Sequence, residues 1–321
     1  MQYELLDAAD RSHVQAVAAI WTQACGPELA ISPRFVRYHL APAAGVARAG
    51  RLAVNDGEPV GFVLASVLHD HPQVMPPQAG WIDALAVRPA SGGQGVGSAL
   101  LSWAEDWLAG QGCAYTVLGG SIKWFAPGLP ASLGTDDFFA RRGYGTLPGH
   151  ERSWDVARSL HDYVTPAGVR LSADVRVAPA EPGQEAALRE FLQREFSGRW
   201  YYEYEAFLRE GGRIADYVLL CTACGVDGCA HLTYEDSLVP LDHYFPYRLP
   251  RPWGQLGAIG VSADCRGSGY GAALLDGGLL ALRDRGVDGC VIDWTTIVDF
   301  YGKFGFKLYR EYLTWGKDEA K

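Results

Sequence analysis

The chain has 321 residues, 48% of them hydrophobic and 20% charged, a composition typical of a globular protein with room for two domains. A formal net charge of −9 argues against a nucleic-acid partner, because proteins that bind phosphate backbones carry basic patches. No apolar run approaches the roughly 20 residues of a membrane span, and the start lacks a signal-like segment, so we expect a cytoplasmic protein without a membrane partner.

The first half predicts alternating strands and helices. Apolar residues recur at helical spacing in His13 to Cys25, and Asp56-Gly57 is a hairpin turn signal between two apolar runs. In chain order, the predicted elements are a strand, two helices, a hairpin and a further strand: 2–6, 13–25, 34–40, 51–68 and 81–87.

A loop rich in glycine, Ser91 to Gly97, follows and leads into a helix that buries Leu100 and Ala104. Tyr115 to Leu118 predicts the next strand. An extra segment that contains Lys123 to Pro130 then precedes the run Phe138 to Tyr144.

The same order of elements recurs after residue 170, which predicts that the chain contains an internal repeat. The predicted elements are a strand, two helices and two strands around a Val226-Asp227-Gly228 turn: 171–177, 185–196, 201–210, 217–222 and 229–234. Thr165-Pro166-Ala167-Gly168 is typical of a linker. We therefore predict a first domain over 1–160, a linker over 161–169 and a second domain over 170–321.

The cysteines favour neither a disulfide framework nor a metal site. Their number is seven, which does not suit a secreted disulfide framework. Cys221 and Cys224 have the spacing of a zinc-binding pair, with Cys229 and His231 nearby. Because residues three apart on a strand point to opposite faces, we expect structural thiols and no metal.

The second half contains the densest glycine loop of the chain, between a predicted strand at Leu256 to Val261 and a helix with an apolar stripe from Ala272 to Leu282. Such a loop presents backbone N–H groups at the positive end of a helix, where a diphosphate binds well. Glycine allows close approach of the anion, and Arg266 adds a positive charge.

This loop, Arg266-Gly267-Ser268-Gly269-Tyr270-Gly271, resembles the pyrophosphate loop Arg/Gln-x-x-Gly-x-Gly/Ala of the GCN5-related N-acetyltransferases, the GNAT family. The run from Phe300 to Phe306 matches that family's Phe-Tyr-x-x-x-Gly-Phe. The resemblance implies an α/β fold with mixed sheets, arranged as two tandem GNAT acyl-CoA N-acyltransferase domains.

Acetyl-CoA is the co-substrate that the resemblance implies. In the second half, its implied binding residues are Ile259, Gly260, Val261, Arg266, Gly267, Ser268, Gly269, Tyr270 and Gly271. In the first half, the corresponding residues are Val87, Gly93, Gln94, Gly95, Val96 and Gly97.

Catalysis is expected to need an acid, a base and an oxyanion donor. The resemblance implies that Tyr301 protonates the leaving thiolate, and that a backbone N–H near Gly260 to Ser262 meets the oxyanion. Glu235 and Asp293 are our candidate bases, with Asp236, Glu203 and Glu205 as alternatives. His231 lies in an apolar strand and is expected to be a core residue.

The two halves differ at the expected reaction centre. Gly92 stands where the second half has Arg266, and Phe139 stands where it has Tyr301. Because a phenylalanine has no hydroxyl to donate, we predict that the second half is catalytic. The first half is then a degenerate copy that either binds acetyl-CoA or serves a structural role.

Three functions remain open from the sequence. We expect the chain to acetylate a small amine such as an amino sugar, to acetylate a cysteinyl glycoside as mycothiol synthase does, or to sense CoA without catalysis. Trp200-Tyr201-Tyr202 either stacks on a substrate or belongs to the core. The chain is expected to be a monomer or a homodimer.

Overall fold

The computed structural model describes residues 1–76, 78–149 and 151–318. The chain divides into two compact units, Met1–Trp154 with Arg310–Lys321, and Asp155–Tyr309. The chain passes from the first unit to the second inside one strand and returns inside another.

The first unit repeats strands and helices in the predicted order. Its helices are α1 (Arg11–Cys25), α2 (Pro33–Leu40), α3 (Val96–Gly110) and α4 (Asp136–Ala140). Its strands up to the crossing are β1 (Gln2–Leu5), β2 (Val46–Asn55), β3 (Glu58–Leu68), β4 (Ala79–Val87), β5 (Tyr115–Leu118), β6 (Leu129–Pro130), β7 (Gly145–Thr146) and β8 (Arg152–Ser159), which carries the chain into the second unit.

Helix caps in this unit follow from the sequence. The side chain of Asp10 accepts a hydrogen bond from the N–H of Ser12 at the start of α1. Ser32 accepts one from Phe35 at the start of α2, where Pro33 occupies a position that needs no N–H.

The second unit contains helices α5 (Glu185–Glu195), α6 (Arg199–Arg209), α7 (Tyr270–Asp284) and α8 (Val298–Gly302). Its strands are β9 (Arg176–Pro179), β10 (Tyr217–Thr222), β11 (Gly225–Thr233), β12 (Trp253–Val261) and β13 (Gly289–Thr295). Strand β14 (Lys307–Leu313) returns the chain to the first unit, where β15 (Trp315–Asp318) follows.

Each unit is built on a mixed sheet, which confirms the predicted α/β class. Neighbouring strands follow the order β1-β2-β3-β4-β5-β15-β7 in the first unit and β8-β13-β12-β11-β10-β9 in the second. The pairs β4 with β5 and β12 with β13 are parallel, whereas β3 with β4 and β11 with β12 are antiparallel.

Side chains on the two faces of the second sheet enter different cores, because successive residues of a strand point to opposite sides. Ile292 packs with Leu275 and Leu279 of α7 on one face. Its neighbour Val291 packs with Leu241 and Trp253 on the other. Alternation therefore places Asp293 on the face opposite α7.

Three expectations differ from the structure. Strand β9 begins at Arg176 and not at Leu171. The turn between β10 and β11 is at residues 223–224, because Gly225 accepts a φ of +116° there, and residues 226–228 belong to β11. The last strand of the chain joins the sheet of the first unit, with Gly316 paired to Val117.

The segment expected to be a linker is packed into the second unit. Tyr163 is only 3% exposed, and its hydroxyl donates to Asp276 in α7. Thr165 donates to the other carboxylate oxygen of Asp276 at 3.2 Å.

Residues 319–321, which end the predicted second domain, lie outside the described residues. Across the described ranges, no helix has the length and apolar character needed to cross a membrane.

Tyr163→Phe tests this packing. Removing the hydroxyl leaves the buried Asp276 carboxylate with one donor fewer, so we expect the free energy of unfolding to fall by about 1–2 kcal/mol. Urea denaturation measures the change. Val164→Ala is the control, since Val164 is 78% exposed and should show no loss. Equal stability of Tyr163→Phe and the parent chain would mean that the segment is a loose linker.

Candidate functional site

The glycine loop of the second unit joins β12 to α7 as the sequence predicts. A short turn over Ala263–Cys265 follows the strand, and α7 begins at Tyr270. Gly267 and Gly269 have φ values of +82° and +88°, which favour glycine. Arg266 to Gly269 are exposed, so the backbone N–H groups that begin α7 are open to a ligand.

The first unit contains the same loop between β4 and α3. Gly93 and Gly95 have φ values of +73° and +81°, and α3 begins at Val96. The side chain of Gln94 donates to the carbonyl of Ala90 at 3.4 Å. The repeat at residues 91–97 therefore has the same backbone shape as the loop at 265–271, although it lacks the arginine.

A cavity of about 590 Å³ opens beside this first loop. It extends along β4 from Val87 to Ile82 and reaches the start of the extra segment at Gly119. The predicted first-half residues that line it are Val87, Gly93, Gly95, Val96 and Gly97. A space of this size is in the range of small-molecule sites.

Two arginines to which the sequence analysis gave no role, Arg141 and Arg142, also line this cavity. The guanidinium of Arg142 lies 3.8 Å from the ring centroid of Phe138 and donates to the carbonyl of that residue at 2.6 Å. These residues belong to the run Phe138 to Tyr144, so their charge was visible in the motif. They supply positive charge near a loop in which Gly92 replaces the arginine.

The extra segment of the first unit is mostly buried. The ring of Phe125 is 5.5 Å from Trp21, 4.9 Å from Phe35 and 5.5 Å from His39, measured between centroids. Phe62 of β3 lies against the same ring at 6.3 Å. The segment therefore fills the space between α1, α2 and the sheet with hydrophobic side chains.

In the second unit, β12 and β13 pair from Trp253 with Gly289 to Gln255 with Val291. Beyond these residues, Ala258 and Trp294 have φ values of +44° and +46°, which are uncommon for residues with a side chain. The register of β12 with β11 also shifts at this point. A bulge leaves a backbone group of the ladder unpaired, so both strands depart from regular pairing at one place.

Asp293 and Tyr301 both lie near this place, close enough for the Asp293 charge to act on the Tyr301 hydroxyl. Tyr301 is 3% exposed and packs in the core on the α7 side, whereas Asp293 lies on the opposite face. Burial raises the pKa of Tyr301 to about 12, and the nearby Asp293 charge adds to this effect. Burial likewise raises the pKa of Asp293 to about 6, against a hydrogen bond from Gln255. The predicted acid and one predicted base are therefore close enough to interact.

Glu235 lies elsewhere. Thr233 is paired with Gln255, so Glu235 follows the end of β11 at the level of Trp253. Asp293 lies toward Gly257, about four residues or roughly 13 Å further along β12. Glu235 forms an ion pair with Arg251 at 3.5 Å, and 51% of its side chain is exposed. The geometry does not bring this predicted base to Tyr301.

The other candidate bases also have identified partners. Arg213 binds Asp236 at 2.7 Å and holds the pKa of that carboxyl at about 2. Glu205 pairs with Arg189 at 2.6 Å. Glu203 accepts from Arg199 at 2.7 Å, and its negative charge raises the pKa of Asp293. Of these three, Glu203 is the one that acts on the Asp293 site.

The aromatic cluster at the start of α6 is partly buried. Tyr202 is buried, whereas Trp200 and Tyr201 are half-buried. The rings of Phe196 and Trp200 lie 4.5 Å apart between centroids, with their planes tilted. Atoms of these two rings are 2.5 and 2.8 Å from where a Cβ on Gly260 would lie. Gly260 is thus required by space, because aromatic rings lie directly against β12 at this residue.

His231 is half-buried among aromatic rings of its apolar surroundings. Its ring lies 4.6 Å from Tyr217 and 4.9 Å from Phe207, and burial lowers its pKa to about 4. Cys229 is buried, whereas Cys224 is exposed. Within residues 1–76, 78–149 and 151–318, no group of three or more His, Cys, Asp or Glu side chains is arranged to hold a metal.

The acetyltransferase (GNAT) family matches this chain over residues 15–123 and 174–306, one segment in each unit. These segments cover more than half of the chain, and the chain belongs to the GNAT family. The predicted arrangement of two tandem GNAT domains is confirmed. Membership of this family supports the prediction that the protein is an acyltransferase.

The chain is also similar to a mycothiol acetyltransferase from Nocardia farcinica, with 26% identity over 267 residues, or 79% of this chain and 78% of that protein. Among solved structures, the glucosamine N-acetyltransferase region of a fungal multi-domain β-N-acetylglucosaminidase has a TM-score of 0.85 at 23% identity. The match covers 98% of this chain but spans only 38% of the fungal one. A tandem GNAT protein from the clavulanic acid pathway has a TM-score of 0.73 at 16% identity, covering 100% of this chain and 99% of that one. At these identities the structural matches show the fold.

Gly269→Ala tests whether the loop needs glycine for its backbone shape. Nothing lies within 4 Å of a Cβ at Gly269, so the φ of +88° is the sole penalty. We expect a loss of about 1 kcal/mol in the free energy of unfolding, together with weaker acetyl-CoA binding. Urea denaturation and calorimetric titration measure the two effects.

Gly271→Ala is the matched control. Its Cβ is equally unobstructed, but Gly271 is helical, so alanine there should raise stability by about 0.5–1 kcal/mol. Changes of the same sign in the two variants would contradict the assignment of a left-handed backbone to Gly269.

Proposed function

We propose that this protein transfers an acetyl group from acetyl-CoA to a primary amine of a small molecule, by direct attack in the second unit. The observation that carries the proposal is the position of Tyr301 and Asp293 where β12 and β13 cease to pair. The glycine loop at the end of β12 would hold the diphosphate, with Arg266 beside it. Residues Ile259 to Val261 are half-exposed and would contact the pantetheine arm.

The two faces of the sheet divide the substrates in this proposal. Acetyl-CoA would approach from the side of α7, where the loop and Tyr301 are. The amine would approach from the opposite face, where Asp293 lies with Glu203 and Arg199 of α6. The pairing of β12 with β11 is irregular near Ala258, and a backbone N–H of β12 there would suit the oxyanion.

Proton transfer follows from the two shifted groups. With its pKa raised to about 6, Asp293 is a carboxylate at neutral pH and takes a proton from the attacking amine, directly or through water. With its pKa raised to about 12, Tyr301 keeps its proton until the C–S bond breaks and then gives it to sulfur. The negative charges of Asp293 and Glu203 favour a cationic acceptor such as an amino sugar.

For the first unit, we propose binding of CoA without turnover. The cavity at Val87 to Gly97 and the two arginines beside it suit the diphosphate and pantetheine. Phe139 is 7% exposed and occupies the position of Tyr301 in the repeat, so it offers no proton to a leaving thiolate. The buried extra segment fills the side on which an acceptor would enter.

A cysteinyl glycoside is the second candidate acceptor, and the 26% identity to a mycothiol acetyltransferase over most of the chain favours it. It needs no different catalytic residues, because its acceptor group is also a primary amine. Acetyl-CoA turnover with glucosamine and with a cysteinyl glycoside, followed by a thiol-reactive dye, separates these acceptors. Binding of acetyl-CoA without turnover on any amine would instead favour a sensor.

Tyr301→Phe tests the acid. Loss of the hydroxyl should lower kcat by about a hundredfold or more, because general acid catalysis contributes on that scale, with little change in acetyl-CoA affinity. Steady-state kinetics and calorimetry measure these quantities. Tyr3→Phe is the control, since Tyr3 lies in the first unit beside Arg51. An unchanged kcat would remove Tyr301 from the mechanism.

Counting bound CoA tests the role given to the first unit. Equilibrium dialysis should find two CoA molecules per chain. Gly97→Phe would fill the first cavity, which Gly97 lines, and should reduce the number to one while turnover persists. If Gly97→Phe abolishes turnover and Tyr301→Phe does not, then catalysis belongs to the first unit.

A further inference from the structure

A series of buried hydrogen bonds reaches Asp293 from the face opposite α7. The N–H of the Gln255 amide donates to Asp293 Oδ1 at 2.7 Å. The hydroxyl of Thr233 donates to Gln255 Oε1 at 2.9 Å. The hydroxyl of Tyr244 lies 3.4 Å from Thr233 Oγ1. Three side chains from different elements are thus connected to one carboxylate.

These bonds have one direction. A threonine hydroxyl has a single hydrogen, and Thr233 donates it to Gln255 Oε1. The Thr233 oxygen therefore accepts the hydrogen bond from the Tyr244 hydroxyl. A glutamine amide that receives a hydrogen bond at Oε1 must turn Nε2 to its other neighbour. The outer residues therefore determine that Asp293 meets an N–H donor and not a carbonyl oxygen.

Water does not compete strongly for these groups. Thr233 is fully buried, Gln255 is 3% exposed and Tyr244 is 7% exposed. Hydrogen bonds in such surroundings are stronger than at the surface, and leaving one member without its partner is costly. The amide of Gln255 therefore has a fixed orientation.

Gly257 provides a second, independent indication. A Cβ on this residue would lie 2.3 Å from Gln255 Nε2 and 3.4 Å from Asp293 Oδ1. Its φ is not in the left-handed region, so conformation does not require a glycine there. The available space requires a glycine instead, because the Gln255 amide lies directly over this residue where it donates to the Asp293 carboxylate.

We propose that Gln255, oriented by Thr233 and Tyr244 and given room by Gly257, is the positioning residue that holds Asp293 as a carboxylate aimed at the acceptor amine. This inference rests on the proposed function, in which the amine nitrogen forms the new C–N bond, the C–S bond breaks, and the amine proton passes to Asp293 while Tyr301 protonates sulfur. Asp293 then releases its proton to solvent and the Tyr301 phenolate takes one up from solvent, so that amide and thiol form and both groups return to their starting states.

The charges around Asp293 explain why such a residue is needed. Burial and the negative charge of Glu203 favour the protonated form, whereas Arg199 on the same helix favours the carboxylate. Tyr301 of α8 is a neutral phenol whose hydroxyl has a hydrogen bond with Thr295 and feels the Asp293 charge. Asp155 of β8 accepts from the N–H of Trp294, next in the chain to Asp293. An N–H donor stabilises the carboxylate and keeps its pKa below the pH of catalysis.

Thr233→Val in the full chain is the test, with Thr233→Ser as the matched control that keeps the hydroxyl. The side-chain ¹³C signal of Asp293, assigned by its absence in Asp293→Asn, is titrated by NMR. The pH profile of kcat/KM is measured with acetyl-CoA and glucosamine as the probe amine. If Thr233→Val does not fold, Tyr244→Phe removes the outer donor and gives the same measurement with a smaller shift.

We expect Thr233→Val to raise the pKa of Asp293 by on the order of one unit, and to move the acid limb of the profile by the same amount. The rate would fall about tenfold below that limb and remain within twofold at high pH. Thr233→Ser should match the parent chain in both measurements.

An unchanged Asp293 pKa in Thr233→Val overturns the inference, as does a rate that falls equally at all pH values, which is the mark of a structural role. A raised pKa in a protein that acetylates none of the amines supplied would support the hydrogen-bond series and count against the proposed function. The NMR and kinetic measurements thus separate the two failures.

Discussion

The end of pairing between β12 and β13 is the constraint on which the second unit depends. If β12 and β13 remained paired to their ends, the backbone of the sheet would separate the side chains on its two faces. Here the pairing of β12 with β13 ends at Gln255 and Val291, and Ala258 and Trp294 then adopt left-handed backbone angles. Residues with side chains adopt such angles at a cost of about 1–2 kcal/mol, which the surrounding structure must offset. The interruption lets a group from the α7 core approach a carboxylate on the other face.

In the proposed function, the same fold gives different chemistry in the two units because the backbone and the side chains have separate roles. Both glycine loops have two positive φ values before a helix of 15 residues. The backbone of the loop is therefore repeated. The hydroxyl is not, since Phe139 occupies the position of Tyr301, and in the first unit Phe125 packs with aromatic rings of α1, α2 and β3. This repeated loop with an unrepeated hydroxyl is the physical basis for proposing binding in both units and transfer in one.

Local signals in the sequence were sufficient for much of this arrangement. Helical spacing and glycine density placed α3 and α7 and the loops before them, because these features depend on residues close together in the chain. The strand Tyr115–Leu118 was predicted with its observed bounds. Long-range pairing was not accessible in the same way: β15 lies in the sheet of the first unit, beside a strand about 200 residues earlier in the chain.

The choice among acidic residues shows the same limit. Glu235 and Asp293 both lie at or near strand ends, and nothing local distinguishes them. Only the register of β11 with β12 shows that Glu235 is displaced along the sheet toward Trp253. Gln255 and Thr233 carried no signal at all, because a buried amide acquires its role from neighbours on other strands. Arg141 and Arg142 were visible as charges, but their approach to the cavity depends on how α4 packs.

Hydrogen–deuterium exchange of the full chain, with and without acetyl-CoA, tests the central claim most directly. The account predicts that the ligand slows exchange at the amides of residues 257–271, where β12 leads into α7, and that this protection persists when Gly97→Phe fills the first cavity. Protection confined to residues 87–97, with none at 257–271, would contradict the assignment of acetyl transfer to the second unit.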